Sequence, residues 1–233
     1  MEAGRFDLLR YLSLLPLFSD FAPPELQRVA DGSRLRRLAR NDMVCRVGDP
    51  CEEFHVVVTG QVKLFAISPM GQEKVVELIG PAHSFGEALV FLNKPYILNA
   101  QTLTDTLLID ISKQVVLDEL ERNPRFSLRM LAGVSRRLHN IVHDVQAYAL
   151  HSGMQRVIGY LLRSHHNGDG EPCAQCFDVN LPTSKATLAS RLSLTPEYFS
   201  RVLHELEAAG LITIDKRHIT VVDAVQLSRH GLL

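Results

Sequence analysis

The sequence predicts an α+β protein with a strand-rich first half, one long amphipathic helix and a small C-terminal part of helices and a hairpin. Three observations support this order. Short β-branched segments end at Gly and Pro turns as far as Ile111, the apolar period then becomes helical, and two short helices precede a hairpin after Asn180. We therefore expect three parts, residues 1–122, 123–150 and 151–233.

Length and composition are those of a soluble globular chain. It has 233 residues, of which 46% are hydrophobic and 22% are charged, and its net charge is −1. No apolar run approaches the ~20 residues of a membrane span, and the N-terminus does not resemble a signal peptide. We therefore expect a cytoplasmic protein without membrane association. The near-neutral charge excludes a binder that holds nucleic acid by overall positive charge.

Four candidate strands occupy the first half of the chain. They are expected at residues 54–58, 62–67, 74–79 and 103–111, after short helices at 6–15 and 24–30. Gly and Pro residues punctuate the strands, so the pattern predicts a sandwich, a roll or a barrel.

A long helix is expected to begin at Pro124, with Asn123 as its N-cap. Apolar residues then recur at alternating spacings of three and four, which is the pattern of a coiled-coil seam. The seam residues are Leu131, Val134, Leu138, Ile141, Val145 and Tyr148. A helix that packs on its own core would show a similar stripe, but the narrow seam with polar flanks favours a helix paired with its copy. We therefore predict a homodimer.

Residues 181–222 carry the most informative pattern. Ser184 is expected to cap a helix at 185–192, and Thr195 to cap a second helix that begins at Pro196. The second helix has a single apolar stripe, formed by Phe199, Val202, Leu203 and Leu206. Two short helices joined by a tight turn and followed by a hairpin describe a winged helix-turn-helix, whose second helix enters the major groove of double-stranded DNA.

The opposite face of that second helix holds the candidate base-reading residues. Glu197 can accept a hydrogen bond from cytosine, Arg201 can donate two to guanine, and Ser200 lies beside them. Lys185 is the candidate phosphate contact, and Thr195 completes the set of DNA-binding residues. Because a Glu and an Arg four residues apart also form ordinary helix ion pairs, the assignment depends on the full array of caps, turn, stripe and wing.

These segments resemble the CRP/FNR superfamily over about residues 14–225. The resemblance is carried by Ser184-Lys185, by Pro196 through Leu203, by Phe85-Gly86-Glu87 and by the glycines at 48, 60, 71 and 80. It implies a cyclic-nucleotide-binding-type β-roll, a long dimerisation helix and a C-terminal winged helix-turn-helix. It also implies a transcription regulator, usually an activator, that binds DNA and contacts RNA polymerase.

The reader residues are similar to those of FNR-type members of the superfamily. Glu197, Ser200 and Arg201 match the pattern Glu-x-x-Ser-Arg, which implies palindromic operators of the type TTGAT…ATCAA. Members specific for cyclic AMP carry an Arg-Ser pair that holds the phosphate, where this chain has Lys94-Pro95. Cyclic AMP is therefore disfavoured as the effector.

An iron–sulfur cluster is also disfavoured. Residues 1–44 contain no cysteine, and neither Cys45 and Cys51 nor the Cys173-x-x-Cys176 pair supplies four closely spaced ligands. The cysteine-poor sensor is most similar to the dissimilatory nitrate respiration regulators, which implies a response to nitric oxide. The cofactor is left open, with haem as one candidate.

The axial ligand of such a haem is left open among three histidines, His83, His139 and His143. A cyclic-nucleotide-responsive regulator and an effector-binding module without DNA function are the alternatives. An enzyme is not expected, because the sequence contains none of the common catalytic motifs.

Overall fold

The computed structural model describes residues 6–166 and 176–230, without the side chains of 164–166. These residues form two compact units. The first comprises the described residues up to Ala66 together with Val76–His139, and the second comprises Ile67–Val75 and the residues from Asn140 onward. The division into 1–122, 123–150 and 151–233 stays a prediction, and the boundary between the compact units falls within the long helix.

The expected strand-rich first half is confirmed. Its elements are α1 (Leu8–Leu14), α2 (Pro23–Asp31), β1 (Ser33–Leu38), β2 (Met43–Cys45), β3 (Glu53–Thr59), β4 (Val62–Ile67), β5 (Glu73–Ile79), β6 (Ser84–Phe85), α3 (Glu87–Leu92), β7 (Asn99–Thr102), β8 (Thr106–Ser112) and α4 (Lys113–Arg122). The strands form two four-stranded sheets, with the orders β1-β8-β3-β6 and β2-β7-β4-β5. Of the sandwich, the roll and the barrel that the sequence pattern predicts, this arrangement is the roll.

The central strands of the first sheet supply much of the core. β3 and β8 are buried along most of their length, so their sequences are mainly apolar and do not alternate with polar residues, apart from the buried His55 and Asp110. Phe54, Leu108, Ile109 and Ile111 are fully buried there. Burial on both faces explains why these strands were predictable from β-branched and aromatic runs.

Strand β1 was not predicted, because charged residues interrupt its apolar pattern. It reads Ser-Arg-Leu-Arg-Arg-Leu and pairs with β8 in an antiparallel register. Arg34 and Arg36 both form ion pairs with Asp110 of β8, at 3.2 and 2.9 Å. The charges that obscure the strand in the sequence are therefore neutralised by a buried carboxylate on the neighbouring strand.

The remaining elements are α5 (Pro124–Leu150), α6 (Gly153–His166), β9 (Phe177–Asn180), α7 (Lys185–Arg191), α8 (Pro196–Ala208), β10 (Ile212–Asp215), β11 (His218–Val221) and α9 (Ala224–His230). The predicted cap of α5 is confirmed, because Asn123 Oδ1 accepts hydrogen bonds from the backbone N–H groups of Arg125 and Phe126. The predicted hairpin is β10–β11, and β9 extends it to three strands. In the described part of the chain, no helix has both the length and the apolar composition of a membrane span.

Candidate nucleic-acid interface

The helix pair α7–α8 begins with two side-chain caps, both at the predicted residues. Ser184 Oγ accepts from the backbone N–H of Thr187 at 3.1 Å, and Thr195 Oγ1 accepts from that of Tyr198 at 3.2 Å. Between the helices, the Leu194 N–H donates to the Ala189 carbonyl at 2.8 Å, which closes a tight turn. The local sequence thus fixes both where α8 starts and how closely it follows α7.

The apolar stripe of α8 is buried as predicted. Phe199, Val202, Leu203 and Leu206 are each at most 1% exposed. At helical spacing, burying this stripe turns the opposite face of α8 outward. The sequence pattern therefore determines which side chains the second unit presents to a partner.

Three of the five predicted DNA-binding residues are exposed, and all lie on α7, α8 or the turn between them. Thr195, Glu197 and Arg201 are exposed, whereas Lys185 and Ser200 are half-buried. Among the residues that the structure describes, the side chains of Lys185, Glu197 and Ser200 have no hydrogen-bond or ion-pair partner. A polar side chain without a protein partner at a helix surface is available to a ligand.

Arg201 lies along the surface of α8 between two neighbours. Its guanidinium carbon is 4.8 Å from the centre of the Tyr198 ring, and its Nε is 3.8 Å from Glu205 Oε1. The side chain is nevertheless 64% exposed. The guanidinium is thus held near the helix while its donors remain accessible to solvent.

The wing adds two cations that are not among the predicted DNA-binding residues. Asp215 pairs with His218 across the end of the β10–β11 hairpin, so Lys216 and Arg217 form its turn. Both are exposed. A basic dipeptide at a hairpin turn is the signal that could have identified them as candidate phosphate contacts.

The segment Ile67–Val75 contacts the end of α7 within the second unit. Ser190 Oγ donates to the Glu73 carbonyl at 3.1 Å and accepts from the Val75 N–H at 2.9 Å. Lys74 Nζ donates to the carbonyls of Ser190 and Arg191 at 2.7 and 2.9 Å and to Ser193 Oγ at 2.7 Å. The ammonium group therefore satisfies the last carbonyls of α7, where a cation is favourable.

Burial and the neighbouring charge of Arg191 lower the pKa of Lys74 to about 8, although Asp144 acts in the opposite direction. More than 100 residues separate the partners along the chain. No local sequence pattern could have indicated this contact.

Tyr148, the last residue of the predicted seam, is half-buried against α7. Its hydroxyl donates to the Arg191 carbonyl at 2.6 Å and accepts from Arg191 Nη1 at 2.6 Å. Arg191 Nη2 also donates to Asp144 Oδ2 at 2.5 Å. Burial raises the pKa of the Tyr148 hydroxyl, against the lowering effect of Arg191. This end of α5 is thus bonded to the helix-turn-helix.

The other seam residues mostly face solvent. Leu131, Leu138, Ile141 and Val145 are exposed, and Val134 is half-buried. Leu128 and Val142, which the sequence reasoning did not select, are exposed as well. We call the set Leu128, Leu131, Leu138, Ile141, Val142 and Val145 the α5 stripe. An exposed apolar stripe of this kind is typical of a surface that a protein partner covers.

The Phe85-Gly86-Glu87 segment forms the N-terminus of α3. Gly86 has a φ of +97°, a conformation that glycine adopts without strain. Arg137 Nη1 donates to Glu87 Oε2 at 3.2 Å, and Arg137 Nη2 donates to Glu77 Oε2 at 2.6 Å. The acidic residue of the segment is therefore paired with an arginine of the same unit, whereas Lys94 and Pro95 are exposed.

Two of the cysteines lie in the core of the first unit. Burial raises the pKa of Cys45 to about 12 and also raises the pKa of Cys51. Cys176 is exposed, and Cys173 lies outside the described residues. The absence of an iron–sulfur cluster stays a prediction.

The three candidate histidines are all exposed. His83 Nδ1 lies 2.9 Å from the Pro81 carbonyl oxygen, so the ring is oriented through that nitrogen. His139 and His143 lie on α5. A fourth histidine, His55, is buried, and its nitrogens contact Asp110 at 2.6 Å and Tyr96 at 2.8 Å. Both nitrogens of His55 are therefore occupied.

Comparisons with known proteins match both halves of the chain. The family of the cyclic nucleotide-binding domain matches residues 35–123, and the Crp-like helix-turn-helix domain matches residues 155–230. The global nitrogen regulator of Nostoc sp. is 30% identical over 82% of this chain and 86% of its own length. The cyclic AMP receptor protein of Thermus thermophilus is 26% identical, over 91% and 94%. The crystal structure of DNR from Pseudomonas aeruginosa is 32% identical, over 97% and 99%, with a TM-score of 0.51.

Proposed function

Because the chain belongs to the CRP/FNR family of transcription regulators, we propose that it is a homodimeric regulator that reads TTGAT…ATCAA palindromes. Regulators of this family bind DNA and act as dimers. The observation that carries the proposal is the outward face of α8, where Glu197 and Arg201 are exposed because the opposite stripe is buried. We further infer that it belongs to the dissimilatory nitrate respiration regulators and activates transcription through RNA polymerase.

In this mechanism, each copy places one α8 in a major groove, and the two-fold axis of the dimer matches that of the palindrome. Arg201 donates two hydrogen bonds to guanine, Glu197 accepts one from cytosine, and Ser200 contacts the base beside them. Lys185 and Thr195 contact the phosphate backbone and set the position of α8 on the duplex. The α5 stripe is covered by the same stripe of the second copy.

Binding titrations test the two kinds of DNA contact against each other. Arg201→Ala should cost about 1–3 kcal/mol per half-site and relax selectivity at the guanine of TTGAT. Lys185→Ala should weaken all sequences alike and reduce the salt slope by roughly one per half-site. The titrations use the palindrome and guanine-substituted palindromes at several salt concentrations. If Arg201→Ala weakened every sequence equally, Arg201 would be a backbone contact and the assignment would be wrong.

For the effector, we propose a redox or gaseous signal such as nitric oxide, with haem as the cofactor. His83 would hold such a haem, because its ring is exposed and its Nδ1 is within hydrogen-bond distance of the Pro81 carbonyl, which orients the ring. His55 does not fit, because Asp110 and Tyr96 occupy both of its nitrogens. When bound, haem iron would supply the position at which nitric oxide coordinates.

Absorption spectra of the protein with added haem, with and without nitric oxide, test this effector. We expect a haem Soret band that shifts on addition of nitric oxide, and we expect His83→Ala to change the spectrum of the haem complex. His151→Ala is the matched control, since His151 is also exposed and lies outside the proposed site. An unchanged spectrum in His83→Ala would overturn the ligand assignment.

A cyclic-nucleotide-responsive regulator is the second candidate, because residues 35–123 match the cyclic nucleotide-binding domain. Two observations argue against it. Lys94-Pro95 lacks the arginine fork that matches phosphate oxygens, and Glu87 is paired with Arg137. Calorimetry that showed micromolar binding of cyclic AMP, coupled to operator affinity, would favour this candidate over a gaseous signal.

A further inference from the structure

We propose that Tyr198 is a positioning residue that sets the base selectivity of Arg201. We also propose that Gly153, which has no side chain, leaves the space that the Tyr198 ring needs for this. The inference rests on the proposed function, in which Arg201 reads guanine. It assigns a role to the one aromatic residue on α8 beside the reader residues, which the sequence reasoning left without one.

The ring of Tyr198 supports the guanidinium of Arg201. The two residues are three positions apart on α8 and therefore lie side by side, and the guanidinium carbon is 4.8 Å from the ring centre. A long, 64% exposed arginine side chain has many rotamers, so unsupported it would lose conformational entropy when it docks on a base. An aromatic face beneath the planar guanidinium reduces the number of rotamers before DNA binds.

Gly153 in turn leaves the space in which the Tyr198 ring lies. A Cβ added at Gly153 would stand 2.4 Å from Tyr198 Cε1 and 2.9 Å from Cζ, so the ring occupies the space that a side chain would fill. The first turn of α6 around Gly153 is itself fixed by a reciprocal cap. The Ser152 N–H donates to Gln155 Oε1 at 2.7 Å, and the Gln155 N–H donates to Ser152 Oγ at 3.2 Å.

Selectivity can therefore depend on residues that contact no base. The chain of contacts runs from the capped start of α6 through Gly153 to the Tyr198 ring and then to Arg201. The 3.8 Å contact of Arg201 Nε with Glu205 Oε1 is an ion pair between two exposed side chains, and such a surface pair holds a side chain only weakly. We therefore assign the orientation of the guanidinium to Tyr198.

The first experiment measures the ratio of affinities for the palindrome and for a palindrome with its guanines replaced. Tyr198→Leu should lower this ratio about two- to five-fold per half-site, which is the worth of an exposed cation–π contact. Tyr198→Phe keeps the ring and should retain the wild-type ratio. Equal loss of affinity for both DNAs in Tyr198→Leu would make Tyr198 a general DNA contact and overturn the proposal.

A double-mutant cycle tests whether Tyr198 acts through Arg201. In the Arg201→Ala background, Tyr198→Leu should no longer change the ratio, because the group that Tyr198 positions is absent. A change of the same size in both backgrounds would mean that Tyr198 acts independently of Arg201. If the wild-type protein showed no guanine selectivity, the proposed function would fail. If the wild type were selective for guanine and Tyr198→Leu had the same ratio of affinities, only the role of Tyr198 would be wrong.

Two glycines of α6 provide a test variant and a control for the contact between Gly153 and the Tyr198 ring. Gly153→Ala should lower the ratio as Tyr198→Leu does, because the methyl group displaces the ring. Gly159→Ala is the control, since a Cβ at that position meets no described atom within 4 Å. Thermal unfolding of each variant checks that it is folded. A Gly153→Ala protein that is folded and keeps the wild-type ratio would remove Gly153 from the proposal.

Discussion

Asp110 in the β-roll and Glu197 at the start of α8 are both carboxylates, but one is buried and the other is exposed. Asp110 has arginines beside it in the fold, and Glu197 has Arg201 four residues later in the sequence. Asp110 is 1% exposed and contacts His55, Arg34 and Arg36. Glu197 is exposed and has no side-chain partner among the described residues. The difference separates two uses of charge, because a buried, paired carboxylate stabilises the fold, whereas an exposed, unpaired one is available for recognition.

The electrostatics of the buried cluster agree with a structural role. Although burial alone would raise it, the pKa of Asp110 is held below its usual range by the hydrogen bond and charge of His55 and by the charges of Arg36 and Arg34. Glu53, His55 and Asp110 place ligand atoms within 4.8 Å of one another, as a metal site would. Arg34 pairs with both carboxylates, however, so the described cluster is balanced by protein cations.

Removing the buried charge should have the largest effect. Asp110→Asn removes the buried counter-charge of Arg34 and Arg36, so we expect a loss of about 3–5 kcal/mol in the free energy of unfolding. Urea denaturation measures it. Asp31→Asn, at an exposed position on α2, is the control and should change stability by no more than about 0.5 kcal/mol. Equal effects of the two substitutions would contradict the structural role of Asp110.

The α5 stripe is an apolar surface that stays exposed among the residues that the structure describes. Leu138→Glu should weaken self-association at least about 100-fold, or 2.7 kcal/mol, because the charge would be buried without a partner in the dimer. Arg136→Glu, on the same helix and also exposed but outside the stripe, should leave the mass of the assembly unchanged. Sedimentation measures both variants. A Leu138→Glu protein that kept the dimer mass would show that the stripe is not the interface.

The exposed carboxylate should behave in the opposite way to the buried one. Glu197→Gln should change the free energy of unfolding by no more than about 0.5 kcal/mol. It should lower operator affinity by about 1 kcal/mol per half-site, at the low end for a base contact, because the amide oxygen of Gln still accepts a hydrogen bond. The free energy of unfolding and the operator affinity of Glu197→Gln, measured on the same preparation, test whether the substitution affects binding and not stability. If Glu197→Gln lost as much stability as Asp110→Asn, Glu197 would have a structural role like that of Asp110.

Local patterns made much of the candidate interface predictable. Ser184, Thr195 and Pro196 fix the helix starts, and the stripe of α8 fixes its outward face, so short-range sequence determines where Glu197 and Arg201 lie. The strands of the roll were predictable where their sequences are mainly apolar, as in β3 and β8. Strand β1 was not, because the carboxylate that neutralises its arginines lies on a strand more than 70 residues away.

The contacts that the sequence did not indicate are those between distant segments. Lys74 reaches the end of α7, and Tyr148 bonds to Arg191, although each residue has an ordinary local environment in the sequence. Leu128 and Val142 extend the α5 stripe because the helix rotates them onto the exposed face, which the chosen heptad register did not include. Such contacts depend on tertiary packing, which periodicity does not report.

Lys74 is a charged residue of the second unit that, unlike Glu197, is half-buried and hydrogen-bonded. Its titration should change the free energy of unfolding less than any of the substitutions above. Its pKa is about 8 in the folded state, below the ordinary value of 10.5. Between these two pH values the unfolded chain holds a proton that the folded chain has released, so stability should rise with pH. The slope should be only a fraction of 1.4 kcal/mol per pH unit, because the partly exposed ammonium is screened by solvent.

The measurement is the free energy of unfolding of the wild type and of Lys74→Met at pH 7.5, 9 and 10, because subtraction cancels the groups that titrate in both proteins. Relative to Lys74→Met, the wild type should gain stability across this range. The sign follows from the burial of the ammonium group against Arg191 and Arg156, which outweighs the attraction of Asp144. A wild type that instead lost stability relative to Lys74→Met would show that the hydrogen bonds to the α7 carbonyls hold the proton in the folded state. Lys74 would then resemble the paired charges of the β-roll more closely than the environment of its side chain indicates.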